Sequence, residues 1–194
     1  MVEIIDYNIY TTPFKDLPCL EDAIQKGYSE EDEQNRTVSI GIRQQPAAII
    51  YAINSLIKQG NSNYFSVIER HAIYYAISAL KKDLELIISK RRELEESGSV
   101  EDLELLYGTE NNLSFLGVIK SSPGHVYMPF WCSEWIHSNS NLLGINTTKF
   151  SVFLLLWALN KSTIVNPSVK SEIKKNAEWF TLYINKQKEK FQIE

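Results

Sequence analysis

The sequence predicts a mainly α-helical fold with one short antiparallel β-ribbon, built from two strand–helix–helix units in tandem with extra helices. Three observations carry this prediction. Residues 36–43 alternate apolar and polar side chains strictly, apolar residues at helical spacing follow them, and the same order returns from residue 125 onward.

In the first unit, Arg36-Thr37-Val38-Ser39-Ile40-Gly41-Ile42-Arg43 reads as one half-buried strand. Val38, Ile40 and Ile42 fall on one face, and Thr37, Ser39, Gly41 and Arg43 on the other. Pro46 suits the first turn of a helix, and Ala48, Ile49, Ala52, Ile53 and Leu56 recur at helical spacing until Gly60 stops it. After an Asn61-Ser62-Asn63 turn, Ser66 is the expected N-cap of a second helix, with Glu69 completing a capping box. Ile68, Ala72, Tyr75, Ala76 and Ala79 make its buried stripe. No Pro or Gly interrupts residues 67–97, so the helix is expected to run on as a spacer.

In the second unit, His125-Val126-Tyr127-Met128-Pro129-Phe130 alternates, placing Val126, Met128 and Phe130 on one face and Tyr127 and Pro129 on the other. A helix over 131–143 ends at Gly144, Ile145-Asn146-Thr147-Thr148 makes a turn and cap, and 149–160 is a strongly apolar helix. Asn166-Pro167 opens a Lys-rich helix to about residue 188. The chain therefore divides into an acidic arm (1–35), with a short helix near 20–26, and a first unit with an extended second helix (36–96). A connector (97–124), itself starting with a short helix to residue 106, leads to a second, degenerate unit (125–161) and a C-terminal helix (162–194).

The strand–helix–turn–helix order over 36–82, and again over 125–161, resembles the ribbon-helix-helix repressors; the tandem layout is similar to regulators of archaeal filamentous viruses. The resemblance implies that the two strands pair into a ribbon that enters the major groove of double-stranded DNA, most simply as an intramolecular pseudo-dimer. Carried over position by position, it puts Thr37, Ser39 and Gly41 on the outward ribbon face, flanked by Arg36 and Arg43. Tyr127 is the weaker counterpart on the second strand, with His125 before it. The second helix of each unit would hold a backbone phosphate at its start, which implies Ser66 in the first unit and Thr148 and Lys149 in the second. The spacing from Ile42 to Gly60 is 18 residues against 14 from Phe130 to Gly144, so the first helix or its turn is the longer.

The net charge is −4, but it is unevenly spread. Residues 1–35 hold nine acidic and two basic residues, including Glu30-Glu31-Asp32-Glu33, and the remainder carries a small positive excess. That run reads as a solvated linker or as an acidic arm competing with DNA for a basic face. Lys81-Lys82 and Lys90-Arg91-Arg92 are either part of a phosphate-contacting face or simply solvated.

Cys19 and Cys132 lack a CxxC spacing, and His71, His125 and His137 lie far apart, so no metal, cofactor or disulfide framework is expected. No Gly-x-Ser-x-Gly or Gly-rich phosphate loop is present, which argues against an enzyme. Trp131, Trp135, Trp157 and Trp179 on apolar faces read as core rather than as platforms for single-stranded bases. The longest apolar run, over 152–159, is far too short to span a bilayer, and no basic leader precedes an apolar stretch at the start. These features predict a cytoplasmic transcription regulator (host cytoplasm for a viral protein) that binds double-stranded DNA, self-associates along it and has no membrane partner. The alternative is a non-enzymatic assembly or interaction protein.

Overall fold

The computed structural model describes residues 17–27, 38–42, 47–62, 64–99, 101, 124–140, 142–143 and 145–193. In chain order its elements are α1 (Leu20–Lys26), β1 (Val38–Ile42), α2 (Ala47–Lys58), α3 (Phe65–Ser97), β2 (Gly124–Met128), α4 (Phe130–Ser140), α5 (Thr147–Asn160) and α6 (Pro167–Phe191). The described residues are thus mainly helical. The N-terminal 16 residues, the acidic run at 30–33 and the connector helix beyond residue 101 lie outside them.

β1 and β2 pair antiparallel, with Val38 opposite Met128, Ser39 opposite Tyr127, Ile40 opposite Val126 and Gly41 opposite His125. On β2 the alternation divides burial cleanly. Val126 and Met128 are fully buried, whereas His125 and Tyr127 are exposed. The alternation stops sooner than the sequence pattern suggests. Pro129, expected on the outward face, is buried, and Phe130, expected on the inward face, is 49% exposed. Proline has no N–H for a strand ladder, so the strand ends before it. The carbonyl of Pro129 then accepts from the amides of Cys132 (3.1 Å) and Ser133 (3.2 Å), which winds the chain straight into α4.

α2 buries Ala48, Ile49, Ala52, Ile53 and Leu56, the stripe its spacing predicts. It closes at Gly60, whose φ of 78° lets its amide reach the Ile57 carbonyl at 2.9 Å. α3 starts one residue before the expected cap. Ser62 Oγ accepts from the Tyr64 amide at 3.1 Å, Tyr64 is held extended as the N-cap, and Phe65 opens the helix against the core. Ser66 is therefore inside the first turn, and Glu69 is a buried residue rather than half of a capping box.

The expectation that α3 acts as a spacer fails for its first half. Every residue from Ile68 to Ser78 is buried, because α3 is the central helix and packs against α1, α2, α4, α5, α6 and β2. Ala79 of the predicted stripe is only half-buried, the stripe having widened to the whole circumference. The helix ends where Gly98, at φ 62°, returns its amide to the Leu94 carbonyl.

α4 ends at Ser140, three residues short of expectation, and α5 begins at Thr147, two residues early. The reason for the latter is a cap: Asn146 Oδ1 accepts from the Lys149 amide at 2.8 Å. α5 is buried continuously from Phe150 to Leu156, and α6, capped by Asn166 through the Ser168 amide, covers it. Phe153 stacks on Phe180 at 5.3 Å, and Trp135 lies 5.9 Å from Phe150. Trp131, at 5.0 Å edge-on to Tyr74, is buried too, so these aromatics are core. Trp157 is half-buried, between Tyr75 and Lys161; the side chain of Trp179 lies outside the described residues.

α1 is an integral part of this body. Leu20, Ala23 and Ile24 pack on α3, and the Tyr75 hydroxyl donates to the Leu17 carbonyl at 3.1 Å. The buried Glu21 carboxylate accepts from Ser162 Oγ (2.5 Å) and the Thr163 amide (3.0 Å), across about 140 residues of sequence.

Packing between the two halves is crossed. α3, from the first half, lies on β2, while α5, from the second half, lies on β1. α3 and α5 also pack on one another, α2 touches α5, and α4 touches α3.

Candidate nucleic-acid interface

The ribbon positions the predicted reading residues only in part. Arg36, Thr37 and Arg43 lie outside the described residues. Ser39 and Gly41 occupy β1 opposite Tyr127 and His125. Directly opposed residues of an antiparallel pair share a face, so positions 39, 41, 125 and 127 form one row across the ribbon. Tyr127 is 55% exposed there, and its neighbour His125 is exposed as well.

The helix starts differ from one another. At α3, Tyr64 supplies no side-chain cap, and Ser66 is exposed at the second helical position. At α5, Asn146 already occupies the Lys149 amide, so an anion there would compete with an internal acceptor. Thr148 and Lys149 are half-buried. The turn, cap and basic residue at the α5 start fit a phosphate site by sequence, but the cap occupies one of the amides that would otherwise bind phosphate.

Lys90-Arg91-Arg92 does not form a continuous basic face. Arg91 is 1% exposed; its Nε donates to the Leu142 carbonyl and its guanidinium to Gln187 Oε1 at 3.1 Å, while Lys90 and Arg92 are exposed. Lys90 pairs with Glu93 at 2.7 Å, and Lys81 is buried beside Glu85 at 3.6 Å. His71 is a core residue facing the Val67 carbonyl at 2.7 Å through Nδ1.

Two features escaped the sequence reading. Phe130 is exposed beside the ribbon, and Pro129 was the available signal, since it must break the alternation. Arg91 is a buried strut, which local sequence does not distinguish from its exposed neighbours. Cys19 is the N-cap of α1 and donates to Asp22 Oδ2 at 3.1 Å. Burial, and then the Asp22 carboxylate, push its thiol up to about 11. Tyr75 is raised by burial and then by Cys19.

Among the described residues no group of three or more His, Cys, Asp or Glu side chains is placed to hold a metal ion, and no helix is long and apolar enough to cross a membrane. No known protein family matches this chain, and neither does any curated protein or solved structure.

Proposed function

We propose that this chain is a sequence-specific double-stranded DNA-binding transcriptional regulator, not an enzyme, and that it inserts its two-stranded ribbon into the major groove. The observation that carries the reading is the antiparallel pairing of β1 with β2, one strand from each half of the chain. The crossed packing supports the finer reading of two ribbon-helix-helix units folded as an intramolecular pseudo-dimer. Each second helix, α3 or α5, covers the strand of the other half, as two-fold-related units do. A ribbon of two strands about 5 Å apart fits a groove about 12 Å wide. Ser39, His125 and Tyr127 then meet base edges, Gly41 allows the close approach, and lysines such as Lys149 meet phosphates.

The test is duplex binding by the full chain across a salt series, using the DNA upstream of its own coding sequence. Affinity should fall with a log–log slope of about −0.9 for each phosphate neutralised. Absence of salt-dependent duplex binding refutes the proposal and leaves the protein-interaction alternative.

A further inference from the structure

We propose that Phe130 is a thymine-reading residue at the end of the ribbon, which makes an A·T pair part of the recognised site. The inference rests on the DNA-binding reading above and adds to it a specificity residue outside the strands. Phe130 is 49% exposed, and three positions earlier Tyr127 is 55% exposed. The residues around them are withdrawn: Met128 and Pro129 are buried, and so are Trp131, Cys132 and Ser133. Between Tyr127 and Ser133, Phe130 is thus the one exposed side chain, and it follows the end of the ribbon by two residues.

The side chain is also held on a firm base. Phe130 is the first residue of α4, whose opening turn is fixed by the two amide bonds to the Pro129 carbonyl and by Trp131 packed edge-on against Tyr74. A phenyl ring carries no hydrogen-bonding group, so among major-groove base edges it favours the C5-methyl of thymine, the apolar feature of that groove. The polar row reads donors and acceptors, and Phe130 adds a methyl contact at the Met128 end of the ribbon.

A duplex recovered by wild-type protein from random sequence, synthesised once with thymine and once with deoxyuridine, isolates the methyl group. The wild-type chain should prefer the thymine duplex by about fourfold for each methyl buried. Phe130→Ala should bring the ratio close to one while retaining the wild-type circular dichroism and salt slope, and Phe130→Leu should keep part of the preference. Equal wild-type affinity for the two duplexes, or an unchanged preference in Phe130→Ala, overturns the inference while DNA binding stands. Failure of the wild-type chain to bind any duplex in a salt-dependent way overturns the DNA reading and this inference together.

Discussion

Arg91, on α3, donates through Nε to the carbonyl of Leu142 in the turn between α4 and α5. Without the buried guanidinium, the Leu142 carbonyl and the fully buried Gln187 lose their donor. Arg91→Ala should therefore cost about 1–3 kcal/mol of unfolding free energy. The same change at exposed Arg92 should stay within about 0.5 kcal/mol. Urea denaturation of the two variants measures both, and equal costs would show that the strut is not formed.

Glu21 ties α1 to the α5–α6 turn through Ser162 and Thr163. Glu21→Ala should destabilise the chain by about 1–3 kcal/mol, because it leaves the buried Ser162 hydroxyl without its acceptor. Ser162→Ala should cost less, and the two changes together should cost less than their sum. A double-mutant cycle supplies the coupling. Strict additivity would mean that Glu21 and Ser162 do not interact.

The ribbon predictions separate base reading from phosphate contact. Ser39→Ala should relax sequence preference by roughly 1–3 kcal/mol at one base pair, with little effect on folding. Arg36→Ala and Arg43→Ala should weaken duplex binding. Lys149→Ala should weaken binding evenly across sequences and flatten the salt slope by about 1. Fluorescence titration against matched and scrambled duplexes distinguishes them. Unchanged affinity and preference in every variant would remove the ribbon as the reading element.

Binding should also be asymmetric. Ser39 and Gly41 stand opposite Tyr127 and His125, so the two strands offer different chemistry to the groove. Footprinting with systematic base changes should find one well-specified half-site per chain. Two equally sensitive inverted half-sites would contradict this.

Cys19 should be a slow nucleophile. With its thiol pushed up to about 11 from an ordinary value of 9.0, its thiolate fraction at pH 8 falls about a hundredfold. The linkage has a definite sign. Below pH 9 both folded and unfolded states keep the proton, and above it the unfolded thiol ionises first, so this contribution erodes stability between about pH 9 and 11. Alkylation by iodoacetamide at pH 8 should be slow in the native chain and fast in denaturant; prompt native labelling of Cys19 would contradict the protonated thiol.

Much of the local structure was legible because it depends on near neighbours. The stripe Ala48, Ile49, Ala52, Ile53 and Leu56, the stops at Gly60 and Gly98, and the Asn166-Pro167 start all follow from helix geometry and backbone conformation. The alternation on β2 separated Val126 and Met128 from His125 and Tyr127 for the same reason. Ser66 misled because its hydroxyl suits a cap, whereas the Ser62–Tyr64 bond and the apolar anchor at Phe65 set the actual start.

What the sequence by itself determined was therefore periodicity and punctuation: which segments wind, which alternate and where glycine or a capping side chain ends them. Tertiary structure alone decided which charged groups are buried. Arg91 and Arg92 are adjacent and chemically identical, yet only Arg91 meets the Leu142 carbonyl and Gln187. Glu21 likewise looks like any acidic residue in a helix's first turn until Ser162 reaches it. Propensity and amphipathicity are properties of a few consecutive residues, whereas the partner that offsets burial of a charge arrives from a distant part of the chain.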